Sequence, residues 1–363
     1  MAYYFMTASK DASVYLQQPN QNCGLDEILE ISKVYYGNVK DVSRALLKFD
    51  VGVLSASLAD TTITMSEATL ILKETQSEEL PLEYTLYAYP ISQSWQMGIG
   101  TRFDNISTEG ISWRYREGNS KIDWLGNTTN DGITTNFAAG STGSYAGYGG
   151  VWYTNYQSTK LYSYNTADVV MDIKPMLNAW VSGSIPNDGL ILKHANSLED
   201  NTEDYGILKF FSKETHTIYQ PKIRIGWDDQ TFETGSLTPL TSEQFKIGIT
   251  NSKSEYKIGT SPKVRIFGRE MYPLKTFNNS FNQYSQINYL PITSYYQITD
   301  LESGDVIIPF SEYSKISCDE NGNYIQLDLR NWETDRVYKI EFKITFNDGD
   351  VYFDNDITFS VVK

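Results

Sequence analysis

The fold of this chain is most constrained by a series of short apolar segments separated by turn residues. Four of them fall close together, at 168–173, 189–192, 208–211 and 223–225. Segments this short fit strands and are shorter than ordinary helices. The segments therefore predict the strands of a closing β-sheet.

One short helix is predicted among these strands. Apolar side chains recur about four positions apart between Pro175 and Val181, which is the spacing of one helical face. Pro175 suits the first turn of a helix, and Gly183 follows its end. The predicted order is a strand, a short helix and then three strands.

The composition supports a folded, strand-rich protein. Of 363 residues, 40% are hydrophobic and 21% are charged, which fits two or three folded domains. The 27 tyrosines favour strands. A net charge of -15 without a basic cluster disfavours direct nucleic-acid binding and binding to anionic membranes. No apolar run approaches the ~20 residues that a membrane helix needs.

Several segments, taken in order, resemble the DNRLRE domain family, a β-sandwich of secreted, cell-surface and virion proteins that is related to carbohydrate-binding modules. The resemblance is carried by Asp11–Val14, Asn22–Ile31, Ser43–Asp50, Ile63–Leu72, Tyr84–Tyr89, Ser94–Trp95, Ile111–Trp113 and Thr166–Ile225. It implies a strand at Leu25–Ile31, where the apolar spacing alone also suits a helix. It also implies that Trp180 packs in the core. Arg44 is implied to be a strand residue that pairs with a carboxylate.

The C-terminal third predicts a second β-sandwich. About seven short strands in about 120 residues are typical of immunoglobulin-like or fibronectin-like sandwiches. The strand at 336–344 also resembles the Ig-like C-terminal modules of bacteriophage virion proteins. We therefore predict an all-β protein with two β-sandwich domains. These are a DNRLRE-like or jelly-roll-like domain at 1–230, a linker at 231–244 and an Ig-like domain at 245–363.

A Gly-rich and aromatic-rich insertion at about 114–160 interrupts the first predicted domain. Long loops on a β-sandwich often carry function, and aromatic rings can stack on protein or on sugar. The candidate contact residues are Trp113, Trp124, Tyr145, Tyr148, Trp152, Tyr153 and Tyr156. The alternative is a surface loop that folds back onto its own sheet.

The sequence offers little material for catalysis, so we predict no enzyme, no catalytic residue and no cofactor. His194 and His216 are the only histidines, and neither has further ligands at metal spacing, so we predict ordinary surface or loop histidines. The acidic clusters Glu199–Asp204 and Asp354–Asp356 leave calcium open as an alternative to solvated turns. The many carboxylates leave a glycan hydrolase as another alternative.

The two cysteines and the N-terminus bear on where the chain folds. Cys23 and Cys318 fall in different predicted domains, which favours unpaired thiols and a reducing compartment. Met1–Thr7 lacks the basic and apolar regions of an export signal. A protein that folds in the host cytoplasm and leaves as part of a virion would combine these features with a domain type that is usually extracellular.

These observations predict a non-enzymatic structural component of a tailed-phage virion. It would belong to the tail, the neck or the capsid exterior and act by protein-protein docking. The expected partners are other virion structural proteins and further copies of the chain in an oligomer or ring. The alternative is a carbohydrate-binding or host-adhesion module that recognises a surface glycan.

Overall fold

The computed structural model describes residues 2–52, 54, 65–104, 106–124, 133–135, 149–163, 168–227, 232, 240, 244–272 and 288–363. The chain divides into two compact units. The N-terminal unit contains Met6–Thr62 and Glu67–Ile225, and the C-terminal unit contains Met1–Phe5, Ile63–Ser66 and Gly226–Lys363. Most of the predicted linker at 231–244 lies outside the described residues.

Strands far outnumber helices among the described residues, which confirms the predicted all-β, multi-domain sandwich class. The first fifteen strands are β1 Ala2–Thr7, β2 Lys10–Tyr15, β3 Ile28–Tyr36, β4 Val39–Lys48, β5 Met65–Leu72, β6 Glu83–Pro90, β7 Tyr115–Glu117, β8 Ile122–Asp123, β9 Ile133–Thr135, β10 Val151–Tyr153, β11 Ser158–Ser163, β12 Val169–Asp172, β13 Leu190–His194, β14 Gly206–Phe211 and β15 Lys222–Trp227. Within the described residues, helices α1 Lys174–Val181 and α2 Asn196–Asp200 accompany them.

Two larger sheets organise these strands. A seven-stranded sheet has the order β11-β6-β13-β4-β3-β14, with β2 also paired to β4. A four-stranded sheet has the order β1-β15-β5-β12. The small pairs β9–β10 and β7–β8 belong to the predicted insertion. None of the helices in the described residues is long and apolar enough to cross a membrane.

The helix and the first strands follow the sequence pattern. Helix α1 has Pro175 in its first turn and buries Met176, Leu177, Ala179 and Trp180, which confirms both the helix and a core position for Trp180. Strand β3 begins at Ile28, so the segment at 25–31 enters a strand rather than a helix. Tertiary pairing with β4 and β14 decides this local ambiguity.

One face of strand β4 is covered by aromatic side chains. Successive side chains of a strand point to opposite faces, so Val42, Arg44 and Leu46 share one face. Val42 and Leu46 pack with Trp95, Trp113 and Trp152 in one buried cluster. The described part of the insertion therefore packs onto its own sheet.

Arg44 lies on this covered face, where it forms a buried ion cluster. Its Nη2 donates to Glu199 Oε2 at 2.8 Å and its Nε to Oε1 at 3.2 Å. Its Nη1 donates to the carbonyl of Gly149 at 2.7 Å, and its guanidinium lies 4.4 Å from the centre of the Trp113 ring. The predicted pairing of Arg44 with a carboxylate is confirmed. The pair connects β4, α2 and the insertion.

Lys193 adds a second cation to this cluster. Its Nζ lies 3.0 Å from Glu199 Oε2 and also donates to Asn196 Oδ1 at 2.7 Å. Burial alone would raise the pKa of Glu199, but the charges of Arg44 and Lys193 hold it below its usual value. Burial also lowers the pKa of Lys193 to about 8. Glu199 is therefore an anion between two buried cations.

Replacing Glu199 by Gln should strongly destabilise the N-terminal unit. Arg44 and Lys193 would then be buried without a counter-charge, which costs about 3–5 kcal/mol. Urea denaturation at pH 7 measures the loss. The exposed Glu83, at the start of β6, provides the control Glu83→Gln, which should change the unfolding free energy by less than about 0.5 kcal/mol. Equal stability of the two variants would contradict the role of the cluster.

The prediction of two surface or loop histidines is wrong for His194. This residue lies in β13, is fully buried, and packs against the rings of Tyr84 and Tyr205. It is buried because both faces of β13, which pairs with β4 and β6, are covered, so that all five residues of the strand are buried. Burial lowers the pKa of His194 to about 4. The side chain of His216, in contrast, is 90% exposed.

The stability of the N-terminal unit should fall as His194 becomes protonated. Because the folded-state pKa lies below the ordinary histidine value of 6.5, the penalty is absent above pH 6.5 and grows as the pH falls toward 4. The difference between these pKa values corresponds to roughly 3 kcal/mol. Comparing the pH dependence of the unfolding free energy of the wild type and His194→Phe isolates this contribution.

The exposed His216 supplies the control for that experiment. Because the side chain of His216 is 90% exposed, His216→Gln should change the free energy of unfolding at pH 7 by less than about 0.5 kcal/mol. The contribution of Asp11 to stability changes with pH in the opposite direction. Burial raises the pKa of Asp11 to about 7. Its stabilising contribution is therefore present at low pH and is lost as the pH rises from 3.8 through 7. A His194→Phe curve parallel to the wild type would contradict the expectation for His194.

The C-terminal unit contains two further sheets. Its strands are β16 Phe245–Ile249, β17 Glu255–Lys257, β18 Lys263–Glu270, β19 Ser294–Asp300, β20 Val306–Ile308, β21 Ser317–Asp319, β22 Gly322–Gln326, β23 Arg336–Phe346 and β24 Gly349–Val362, with a 3-10 turn at Glu312–Ser314. The sheet orders are β16-β18-β22-β21 and β17-β24-β23-β19-β20. One buried apolar cluster contains side chains of both sheets, including Ile266, Ile325, Ile298 and Phe342.

Both cysteines lie in buried positions without a disulfide. Cys23 belongs to the N-terminal unit and Cys318 to the C-terminal unit, and both are free. Burial raises the pKa of the Cys318 thiol to about 11. Both thiols are therefore protonated and unreactive at neutral pH.

Candidate functional site

The tryptophans predicted to contact partners lie in the core. Trp113, Trp124 and Trp152 are each at most 2% exposed. Trp124 donates its Nε1 proton to the carbonyl of Ser112 at 3.1 Å, and Trp152 stacks on Tyr89. They are buried because they cover the face of β4 that carries Val42 and Leu46. These tryptophans cannot present a ring to a sugar or to a partner from the surface.

The structure describes two of the four tyrosines that were predicted to contact partners. Tyr153 and Tyr156 are half-buried near strand β10. Tyr145 and Tyr148 lie outside the described residues. The candidate contact residues therefore do not form one exposed group in the described part of the chain.

A different segment presents apolar side chains to solvent. We define residues 97–104 and 106–107 as the apolar loop. Within it, Ile99 is 66% exposed, Phe103 88% and Ile106 76%. Leu25 adds a fourth exposed side chain beside them, because its backbone N–H donates to the carbonyl of Gly100 at 2.9 Å. Several exposed apolar side chains on one segment and on the backbone bonded to it mark interaction sites more often than single residues do.

Asn22 holds the apolar loop from beneath. Its buried side chain donates from Nδ2 to the carbonyls of Met97 and Ile111, both at 2.7 Å. Its Oδ1 accepts from the backbone N–H groups of Gly24 at 3.3 Å and Gly100 at 2.8 Å. All of the usual hydrogen bonds of an amide side chain are thus directed at this loop and its neighbours.

Glycines allow the backbone to approach Asn22 closely. Gly98 has φ +82°, and a Cβ there would lie 2.6 Å from Asn22 Cγ. A Cβ on Gly100 would lie 2.5 Å from the Asn22 carbonyl oxygen. Gly110, with φ +93°, would likewise place a Cβ against the backbone of Gly98. Side chains at these positions would force the loop away from its support.

Arg102 fixes the outer part of the loop. Its guanidinium forms an ion pair with Glu30 and lies 4.1 Å from the centre of the Tyr15 ring and 5.2 Å from that of Phe103. Its backbone N–H donates to Asp26 Oδ1 at 2.9 Å. Burial would lower the pKa of Arg102, but Tyr15 and Glu30 raise it, so the charge is retained. Phe103 is therefore presented on an anchored backbone.

The buried acid Asp11 and members of the two acidic clusters have partners within the chain. Asp11 has a pKa raised by burial to about 7, but it is only 1% exposed and accepts from the backbone N–H of Lys213. Among the described residues, no group of three or more His, Cys, Asp or Glu side chains is arranged to hold a metal ion. Glu199 and Asp354, from the two acidic clusters, pair with lysines. The chemistry available at the loop is apolar contact.

Sequence reasoning missed this site. The signal was the repeated glycine in Met97–Gly100 with an exposed Ile between glycines, followed by Phe103, Ile106 and Gly110. Asn22, which organises the loop, lies more than seventy residues earlier in the chain. Only the folded structure brings the two segments together.

The comparisons with known proteins give little guidance. No protein family model matches the chain, and no curated protein is detectably similar. The similar solved structures include that of a DUF4785 family protein from Legionella pneumophila subsp. pneumophila strain Philadelphia 1, at 10% sequence identity and a TM-score of 0.20. The alignment covers 99% of this chain but only 62% of that protein. A TM-score this low carries no argument about fold or function.

Replacing Asn22 by Ala should release the apolar loop. The variant removes four hydrogen bonds in a buried setting, and we expect a loss of about 2–4 kcal/mol in the free energy of unfolding. The loosened loop should also become a trypsin substrate after Arg102, which mass spectrometry of the fragments detects. The exposed Asn155 provides the control Asn155→Ala. Wild-type stability and resistance to trypsin would contradict this role for Asn22.

Proposed function

We propose that this chain is a non-enzymatic structural protein that docks to other proteins through the apolar loop. The observation that carries the proposal is the exposure of Ile99, Phe103 and Ile106 on a backbone that Asn22 and Arg102 hold in place. Soluble proteins rarely expose several large apolar side chains together without a partner. Burying them against another protein would stabilise the complex.

The composition of the loop favours a protein partner over a sugar. Sugar rings stack on flat aromatic faces, whereas Ile99, Ile106 and Leu25 are aliphatic. Phe103 supplies a single exposed ring, and Arg102 approaches that ring at 5.2 Å. Aliphatic side chains with one aromatic anchor suit a complementary pocket on a protein.

The rigidity of the loop also supports docking. A mobile loop loses conformational entropy when it binds, and this loss weakens the complex. The hydrogen bonds of Asn22 and the ion pair of Arg102 fix the loop during folding, before any partner arrives. The apolar loop is therefore preorganised for binding.

We further propose that the assembly is the virion of a tailed phage, with other virion structural proteins and further copies of this chain as partners. The support comes from the resemblance of the sequence to DNRLRE and phage Ig-like modules. The free buried thiols of Cys23 and Cys318 fit folding in a reducing host cytoplasm. The acidic net charge of -15 fits a place away from the packaged DNA.

The first test is to quantify this chain in density-purified particles from the source lysate by peptide mass spectrometry. A fixed stoichiometry is expected, and the copy number distinguishes a tail or neck ring from a decoration of the whole head. Absence of the chain from purified particles would contradict the virion proposal.

The second test addresses the apolar loop. Ile99→Ser combined with Phe103→Ser should reduce incorporation of the chain into particles at least about tenfold, because buried anchors carry most of the binding energy of an interface. Leu82→Ser is the matched control, since Leu82 is 73% exposed and lies outside the loop. Normal incorporation of the double variant would show that docking uses another surface.

A further inference from the structure

The long hairpin of the C-terminal unit has an open edge. Strand β24 pairs with β23 along its length, but on its other side β17 pairs only with Ser360–Val362. The first part of β24, Gly349–Phe353, therefore has a strand neighbour on one side alone within the described residues. Five residues of strand span about 17 Å.

The register shows which backbone groups face outward. Phe346 and Gly349 close the two-residue turn as a hydrogen-bonded pair, and such pairs alternate with non-hydrogen-bonded pairs along an antiparallel ladder. Asp350 and Tyr352 fall in the non-hydrogen-bonded pairs, opposite Thr345 and Lys343. Their N–H and C=O groups point away from β23. In the part of the chain that the structure describes, no hydrogen bond reaches these groups.

Side chains on both faces of this edge are also exposed. Val351 is 42% exposed and pairs with Ile344 on the core side of the sheet, whereas Tyr352 is 63% exposed and pairs with Lys343 on the outer side. The ring of Tyr352 also contacts Phe310. A strand added to the edge would cover Val351 on one face and Tyr352 on the other.

The acidic charge of the edge favours a basic partner over a second copy of the chain. Asp348, Asp350, Asp354 and Asp356 lie in or beside it, and no Lys or Arg lies between Asp348 and Ile357. Lys343 and Lys339 of β23 pair with Asp350 and Asp354, but the side chain of Asp356 is 95% exposed and 3.9 Å from Lys339. The same edge of a second copy would bring carboxylates against carboxylates, which is destabilising.

We infer that the edge of β24 at Gly349–Phe353 binds an extended, lysine- or arginine-bearing segment of a partner protein as an added strand. Backbone hydrogen bonds to Asp350 and Tyr352 would supply affinity, and the aspartates would select basic side chains. This surface is separate from the apolar loop, and the inference does not rest on the proposed virion role.

The test uses the full chain and a fluorescein-labelled peptide of alternating lysine and threonine, followed by fluorescence anisotropy. We expect binding that weakens as salt rises, and no binding of a matched peptide of alternating glutamate and threonine. Tyr352→Pro removes an outward N–H without removing a bond to β23, so it should weaken binding at least about tenfold. Tyr352→Thr loses the ring but keeps the N–H, and it should stay within about threefold of wild type.

A second variant tests the inference even if Tyr352→Pro perturbs the sheet. Asp348→Lys leaves the strand backbone intact and should weaken binding of the lysine peptide about threefold. Failure of the wild type to bind, equal binding of the glutamate peptide, or unchanged binding by Tyr352→Pro would overturn the inference. A wild-type dimer in sedimentation that Tyr352→Pro abolishes would also overturn it, because the occupant would then be a second copy.

Discussion

The N-terminal unit depends on one buried ion pair, that between Arg44 and Glu199. Arg44 lies on β4, which pairs with β2, β3 and β13, and Glu199 lies on the short helix α2. The Arg44 side chain also contacts the carbonyl of Gly149 and the ring of Trp113. One guanidinium thus joins the sheet, the helix and the described part of the insertion. An apolar residue at this position could fill the space but could not satisfy Glu199 or the Gly149 carbonyl.

The buried cluster explains why the insertion is not the exposed surface that its composition indicates. A Gly-rich and Trp-rich segment has the composition of a contact loop, but its tryptophans are needed to cover Arg44 and the apolar residues beside it. Burial of Trp113 and Trp152 removes a large apolar area from water and so stabilises the folded unit. Rings left exposed for a partner would not make this contribution. The docking surface that we propose is instead a shorter loop with less unusual composition.

The sequence was sufficient to predict the strands, helix α1 and the pairing of Arg44 with a carboxylate, because these follow from local periodicity and from a resemblance along the chain. It could not predict the burial of His194, since the periodicity of β13 does not reveal that both of its faces are covered. It also could not predict the apolar loop, because the amide of Asn22 that organises it comes from a distant segment. Local patterns indicate the elements, whereas contacts between distant segments determine which side chains remain exposed.

The two surfaces differ in how their charges are balanced, and this difference determines the chemistry of their partners. In the apolar loop, Arg102 already pairs with Glu30, and the exposed side chains of Ile99, Phe103 and Ile106 carry no charge. Beside the edge of β24, Asp356 lies 3.9 Å from Lys339, so the added strand that we infer would be favoured by a cation of its own there. An apolar partner suits the first surface and a basic strand suits the second. The two proposed surfaces would therefore call for partners of different chemistry, because they consist of different residues of the chain.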